Sequence, residues 1–275
     1  DVAAIELGLK HKHDLARLEQ AANGRLSTRQ GRSVGAVWLL RQLAQRLGLE
    51  SVLGRSEESR RALWQVFARL IDQGSRLSAV RLAEKHAACE ILGLGNLTED
   101  HLYANLDWLD KNQRKIEKRL YRRRHGDRPA RMFLYDVTST YLEGEKNGYA
   151  ARGYNRDRKA GKTQIVIGLL TDADGDPVTV EVFEGNTSDP LTVLPQIRKI
   201  ADCFGVRDVT LVGDRGMIKT TQVEQLKEES FHYLTAITKP QIRTLLKMGQ
   251  LQLSLFDEEL CQVVLSGVRY ILRRN

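Results

Sequence analysis

The sequence predicts an α/β chain in which a small all-helical domain precedes a mixed sheet with flanking helices. Three observations predict it. Residues 1–127 carry apolar residues at helical spacing with few strand-like runs, and after Pro129 short apolar runs bounded by turn residues take over. The net charge of +8 is confined to the front part: residues 1–130 hold 24 Lys and Arg against 16 Asp and Glu, and residues 131–275 hold 19 of each.

The front half reads as four helices. Val34, Val37, Trp38, Leu40 and Leu43 form an apolar face that continues to Leu47 and stops at Gly48. A second helix is expected from Ser59 to Asp72, with Leu63, Val66, Phe67, Leu70 and Ile71 on one side, and a third from Leu77 to Leu92. The fourth starts near Thr98, a capping residue followed by Glu99 and Asp100, and runs on through Leu102, Leu106, Leu109, Ile116 and Leu120. It ends in KNQRKIEKRLYRRR, where Lys111, Arg114, Lys115, Lys118, Arg119 and Arg122 recur every three or four residues. Such a stripe can track a phosphate backbone or serve as the wet face of an amphipathic helix.

The back half alternates elements. Met132–Thr138 and Gln164–Thr171 read as strands. DADGD then turns the chain into a third strand opened by Pro177, with Val178, Val180 and Val182 in alternation. Residues 190–204 have helical spacing, Val209–Gly213 is a fourth strand, Thr220–Glu229 a helix and His232–Ile237 a fifth strand. Hairpins give antiparallel neighbours and helical crossovers parallel ones, so the sheet is mixed. Asp136 lies within the first strand and Asp214 at the end of the fourth, positions that can meet at a ligand-binding crevice.

Composition narrows the function. A hydrophobic fraction of 41% and a charged fraction of 28% fit a soluble globular protein, and the longest apolar runs fall far short of a membrane span. The segment DVAAIELGLKHKHD has no apolar signal core, so no export is expected. Cys89, Cys203 and Cys261 are scattered and odd in number, which argues against a disulfide framework and fits a reducing cytoplasm. A basic front on a neutral back suggests a polyanion partner, most simply nucleic acid.

The element order is that of the RNase H-like fold, and several strings carry a closer resemblance. LYDVTSTYLEG around Asp136, QIVIGLLTDADGDPVTVEVFEGNTSD from Gln164 to Asp189, and VGDRGM around Asp214 resemble successive motifs of bacterial insertion-sequence DDE transposases. The upstream LYANLDWLDKNQRKIEKRL is similar to the helix preceding the catalytic core in that family. The resemblance covers most of residues 34–275. It implies an RNase H-like core, cleavage and strand transfer at element ends, and two Mg2+ ions with Mn2+ able to substitute. Asp136 and Asp214 would be catalytic and metal-binding. Double-stranded DNA, as element ends and target, would be the partner, with a homodimer in the synaptic complex and a place at the bacterial nucleoid.

The implied domains are residues 1–127, helical and DNA-binding; 128–240, the RNase H-like core; and 241–275, the start of a β-rich insertion. The family's third carboxylate, a Glu on a late helix flanked by Tyr, Arg and Lys, finds no match in the chain. Glu258 and Glu259 sit in a turn-like stretch, so the chain is expected to stop inside the insertion and to be catalytically incomplete. Expected DNA contacts are the basic stripe, Arg215, Asn186 in the NTSD loop, and Arg152 and Arg156 in ARGYNRDRKAGK. Ser139 and Thr140 are read as structural, His11 and His13 as solvated, and Asp172, Asp174 and Asp176 as a hairpin turn rather than a calcium loop. A different RNase H-like nuclease is a rival reading, which the NTSD and DRGM strings disfavour. A non-catalytic DNA-binding protein derived from a truncated transposase is the second rival.

Overall fold

A computed structural model describes residues 8–10, 14–23, 31–144, 146–153, 161–250, 261–265 and 267–272. The chain divides into two compact units, Asp1–Lys111 and Asn112–Asn275.

The first unit is helical: α1 (Leu15–Ala22), α2 (Gly35–Leu47), α3 (Leu49–Leu53), α4 (Glu57–Ile71), α5 (Arg76–Lys85), α6 (Ala88–Leu92) and the start of α7 (Glu99–His125). Gly48 ends α2 in the left-handed region at φ 75°, its N–H donating to the carbonyls of Ala44 and Gln45. Ser56 and Ser75 cap α4 and α5, each hydroxyl accepting an N–H at 3.1 Å, and Thr98 accepts from His101 N at 3.3 Å. Val37, Leu63, Trp64, Phe67, Ala83 and Leu102 share one core.

Two expectations change here. The single helix over Leu77–Leu92 is broken between α5 and α6. Ser33 N donates to Lys85 O and Ala87 N to Ser33 O, so a distant segment takes backbone groups that would have continued the helix. The apolar face of α2 is only partly packed: Val37 is fully buried, but Trp38 stays 54% and Leu43 43% exposed.

The second unit is built on a five-stranded sheet in the order β3-β2-β1-β4-β5. Its strands are β1 (Met132–Leu142), β2 (Thr163–Asp172), β3 (Pro177–Glu184), β4 (Thr210–Gly213) and β5 (His232–Thr235). β1, β2 and β3 pair antiparallel as hairpins, whereas β1–β4 and β4–β5 are parallel. Each parallel step follows a helical crossover, α8 (Asp189–Lys199) before β4 and α9 (Thr220–Glu228) before β5. This is the RNase H-like order and polarity. Alternation divides the sheet. Phe133, Tyr135, Val137, Val166, Leu170 and Leu211 join Tyr121 of α7, Val193 and Ile197 of α8 and Leu226 of α9 in the core. On the opposite face Leu134, Leu169, Val180, Val182 and Leu234 lie outside that core, 37–53% exposed.

A short α10 (Lys239–Lys247) follows β5 where the sequence reading has the insertion beginning, and β6 (Cys261–Leu265) and β7 (Val268–Leu272) form an antiparallel hairpin. Its rungs include Val263↔Tyr270, within the tail read as alternating. Leu251, Leu253, Leu255, Glu258 and Glu259 fall outside the described residues. No helix among those described is long and apolar enough to cross a membrane.

Candidate active site

The last rung between β1 and β4 is Tyr135↔Gly213. The next residue of β1 is Asp136 and the residue just past the end of β4 is Asp214, and the two strands are neighbours spaced about 4.8 Å apart. Sidedness follows from the residues before them. Tyr135 is buried, and a Cβ on Gly213 would meet the buried Ile218 at 3.1 Å, so both point into the core. Alternation turns Asp136 to the opposite, open face; Asp214 follows the last residue of β4, and both acids are exposed.

Local backbone contacts hold each acid. Asp136 Oδ1 accepts from Val137 N at 2.8 Å, and Asp214 Oδ1 from Arg215 N at 2.6 Å. Met217 N donates to Asp214 O at 3.1 Å across a turn whose third residue, Gly216, has φ 82°. Glycine adopts that conformation without a steric penalty. Thr235 of β5 donates its hydroxyl to Asp214 O at 3.1 Å, tying the turn to the next strand. Among the described residues neither carboxylate makes an ion pair, and no group of three His, Cys, Asp or Glu gathers as a metal site.

Tyr135 anchors the strand beneath Asp136. Its hydroxyl donates to Thr192 O at 3.3 Å, and its ring occupies the space left by Gly168, where a Cβ would lie 2.9 Å from Cζ. Burial pushes this phenol up to about 12.

The expected DNA contacts fall in different places. Arg215 is exposed in the turn beside Asp214. Asn186 is exposed just past β3, whose Glu184 shares the rung of Ile165, paired in turn with Thr140. That rung is four residues along β1 from Asp136, about 13 Å, and two strands across. Arg152, also exposed, sits at the same corner. Ala151 pairs with Gln164 at 3.1 and 3.0 Å, and Gly185 N donates to Tyr149 O. The lack of a Cβ at Gly153 and Gly185 permits this close approach. Arg156, His11 and His13 lie outside the described residues.

Along α7, Lys111, Arg114, Lys115, Arg119 and Arg122 are exposed and Lys118 is half-buried. One acid in the run has a role that the sequence did not announce. Glu117 is buried, its Oε1 accepting from Thr179 Oγ1 at 2.7 Å and Gln113 Nε2 at 2.9 Å, with Lys199 Nζ 3.0 Å from Oε2. Its only sequence signal was the spacing Gln113, Glu117, Tyr121. Asp172 is buried at the β2–β3 turn. Its Oδ1 accepts from Asp174 N and Asp176 N at 3.1 and 2.9 Å, and its Oδ2 lies 3.3 Å from His125 Nε2. That closes the hairpin read from the sequence.

No curated protein matches the chain. Two solved structures align with it. The Mos1 transposase paired-end complex with left transposon end is 11% identical over 66% of this chain and 59% of that one, with a TM-score of 0.28. The Mos1 Strand Transfer Complex is 13% identical over 87% of this chain and 72% of that one, with a TM-score of 0.29. The chain thus spans under two thirds of the first. The family described as Transposase DDE domain matches residues 127–266, 140 of the 275, and takes in all five strands of the sheet and both acids. The chain therefore belongs to the Transposase DDE domain family.

Proposed function

We propose that this protein binds DNA and, with divalent metal, cuts and rejoins the ends of a mobile element, with Asp136 and Asp214 as metal-binding carboxylates. The observation that carries the reading is the placement of both exposed acids one step beyond the Tyr135↔Gly213 rung. The donor set suits a hard cation. Mg2+ takes carboxylate oxygens and keeps several waters, and two exposed acids on adjacent strands offer those oxygens without a competing ion pair among the described residues. Mn2+ would substitute. When bound, such ions activate an attacking hydroxyl or water and stabilise the leaving oxygen of an in-line displacement at phosphorus.

The protein's own part is positioning. β1 and β4 set the separation of the acids, the Asp214–Met217 turn and Thr235 hold the second, and Tyr135 fixes the strand behind the first. Arg215 is placed to grip a phosphate next to them. The reading needs a third ligand from outside the described residues. The exposed Leu134, Leu169, Val180 and Val182 offer an apolar face on which an element bearing it would pack. Residues 1–127 would contribute much of the duplex affinity through their positive charge, a homodimer would hold two ends in synapsis, and the nucleoid of a bacterial cytoplasm would be the setting.

A non-catalytic DNA-binding role is the second reading, favoured by the lack of a third ligand among the described residues. One assay separates them: metal-dependent nicking of a labelled element end by the full-length protein and by its Asp136→Asn and Asp214→Asn variants. The proposal expects nicking in Mg2+ but not in Ca2+, and loss of nicking with binding retained in both variants. Binding without nicking in Mg2+ would leave the second reading.

A further inference from the structure

Helix α10 carries a cationic stripe that the active-site reading does not use. Lys239, Arg243 and Lys247 are spaced i, i+4, i+8 and all three are exposed. At ~100° per residue they occupy an arc of about 80°, beside an arc holding the half-buried Ile242, Leu245 and Leu246. The helix start is well specified: Thr238 accepts from Gln241 N at 3.4 Å, and Gln241 Oε1 accepts from Thr238 N at 2.7 Å. Among the described residues none of the three cations makes an ion pair.

The topology places the start of this stripe near Asp214. Thr235, the last residue of β5, pairs with Gly213 and donates to Asp214 O. Lys239 follows four residues later, so the chain can carry it at most about 14 Å from that contact. The stripe spans eight residues, about 12 Å at 1.5 Å each, an axial length holding three or four phosphates of one DNA strand at 3.4 Å each.

We propose that α10 is a phosphate-binding element at the catalytic edge of the sheet, with Lys239, Arg243 and Lys247 gripping the backbone of the DNA brought to Asp136 and Asp214. This rests on the reading that the protein acts on DNA. The three side chains hold phosphates and carry no sequence information, so they contribute affinity and register rather than choice of sequence.

The test is the salt dependence of binding to a fluorescent mixed-sequence duplex by the full chain, with all three residues changed to Gln. The slope of log affinity against log salt should flatten by about 0.9 for every phosphate no longer neutralised, up to about 2.7 in all. The affinity ratio between 50 and 200 mM salt should then shrink by up to about 40-fold. Each single substitution should contribute a share, which keeps the test valid if the triple variant folds poorly, and Lys239→Arg with Arg243→Lys and Lys247→Arg should keep the original slope. The control neutralises Arg198, Arg207 and Lys227, exposed cations on the segments leading into β4 and β5 at the opposite edge. An unchanged slope in the α10 variants, or an equal loss in the control, overturns the proposal while leaving DNA binding intact. A wild-type chain with no salt-dependent binding overturns both.

Discussion

Lys199→Met should be among the most damaging single substitutions in the sheet unit. Lys199 Nζ lies 3.0 Å from Glu117 Oε2 and 2.9 Å from Glu181 Oε2, and its side chain is 7% exposed. Glu117 is nearly as buried, whereas Glu181 is 38% exposed and can return to water. Methionine keeps the stem and removes the charge, leaving the Glu117 carboxylate with neutral donors alone: Thr179, Gln113 and the N–H of Val180. Removing one partner of a buried pair costs about 3–5 kcal/mol. At about 2–4 °C per kcal/mol for a protein of 150–250 residues, that is a fall in Tm of roughly 6–20 °C. Urea unfolding measures the free-energy loss and thermal unfolding the fall in Tm, both followed by circular dichroism. The double variant Glu117→Gln with Lys199→Met should recover much of the loss, because no isolated charge stays buried. A Lys199→Met variant within about 1 kcal/mol of wild type would refute the argument that this cluster is desolvated.

Two further outcomes follow from the same structure. The raised Tyr135 phenol keeps its proton more tightly folded than unfolded, so its contribution is complete below pH 10 and declines as pH rises towards 12. The decline is about 2 kcal/mol, and Tyr135→Phe should remove that part of the alkaline destabilisation; identical pH profiles for both proteins would contradict the burial argument. Neutralising Lys111, Lys115, Lys118 and Arg122 should weaken duplex binding across all sequences and flatten the salt slope by about 0.9 for every phosphate that these side chains had neutralised. An unchanged slope would make the stripe a solvated face.

Much of the sheet unit was legible because its signals are local. Alternation in Val178–Val182, the DADGD turn and the acids ending short apolar runs each depend on a few neighbouring residues, and the strand order follows from hairpins and crossovers. What stayed hidden depended on distant partners. The break between α5 and α6 requires Ser33, some fifty residues away, to pair with the backbone of Lys85 and Ala87. Glu117 looks like one acid diluting a basic run, and only Lys199 and Thr179 make it an interior residue. Helix α10 was a different kind of miss: Thr238, Pro240 and Gln241 spell a helix start, but the expectation of a β-rich insertion overrode that local signal. At the site, the positions of Asp136 and Asp214 were readable. The separation of Arg152 and Asn186 from them was not, because it is set by the strand register.

The central claim is that Asp136 and Asp214 jointly hold a divalent ion, and it can be tested without any turnover. Crystals soaked in Mn2+ and measured at the manganese absorption edge should show an anomalous peak between the two carboxylates, lost in Asp136→Asn and Asp214→Asn crystals. Manganese bound elsewhere, with the space between these two side chains empty in the wild-type protein, would contradict it.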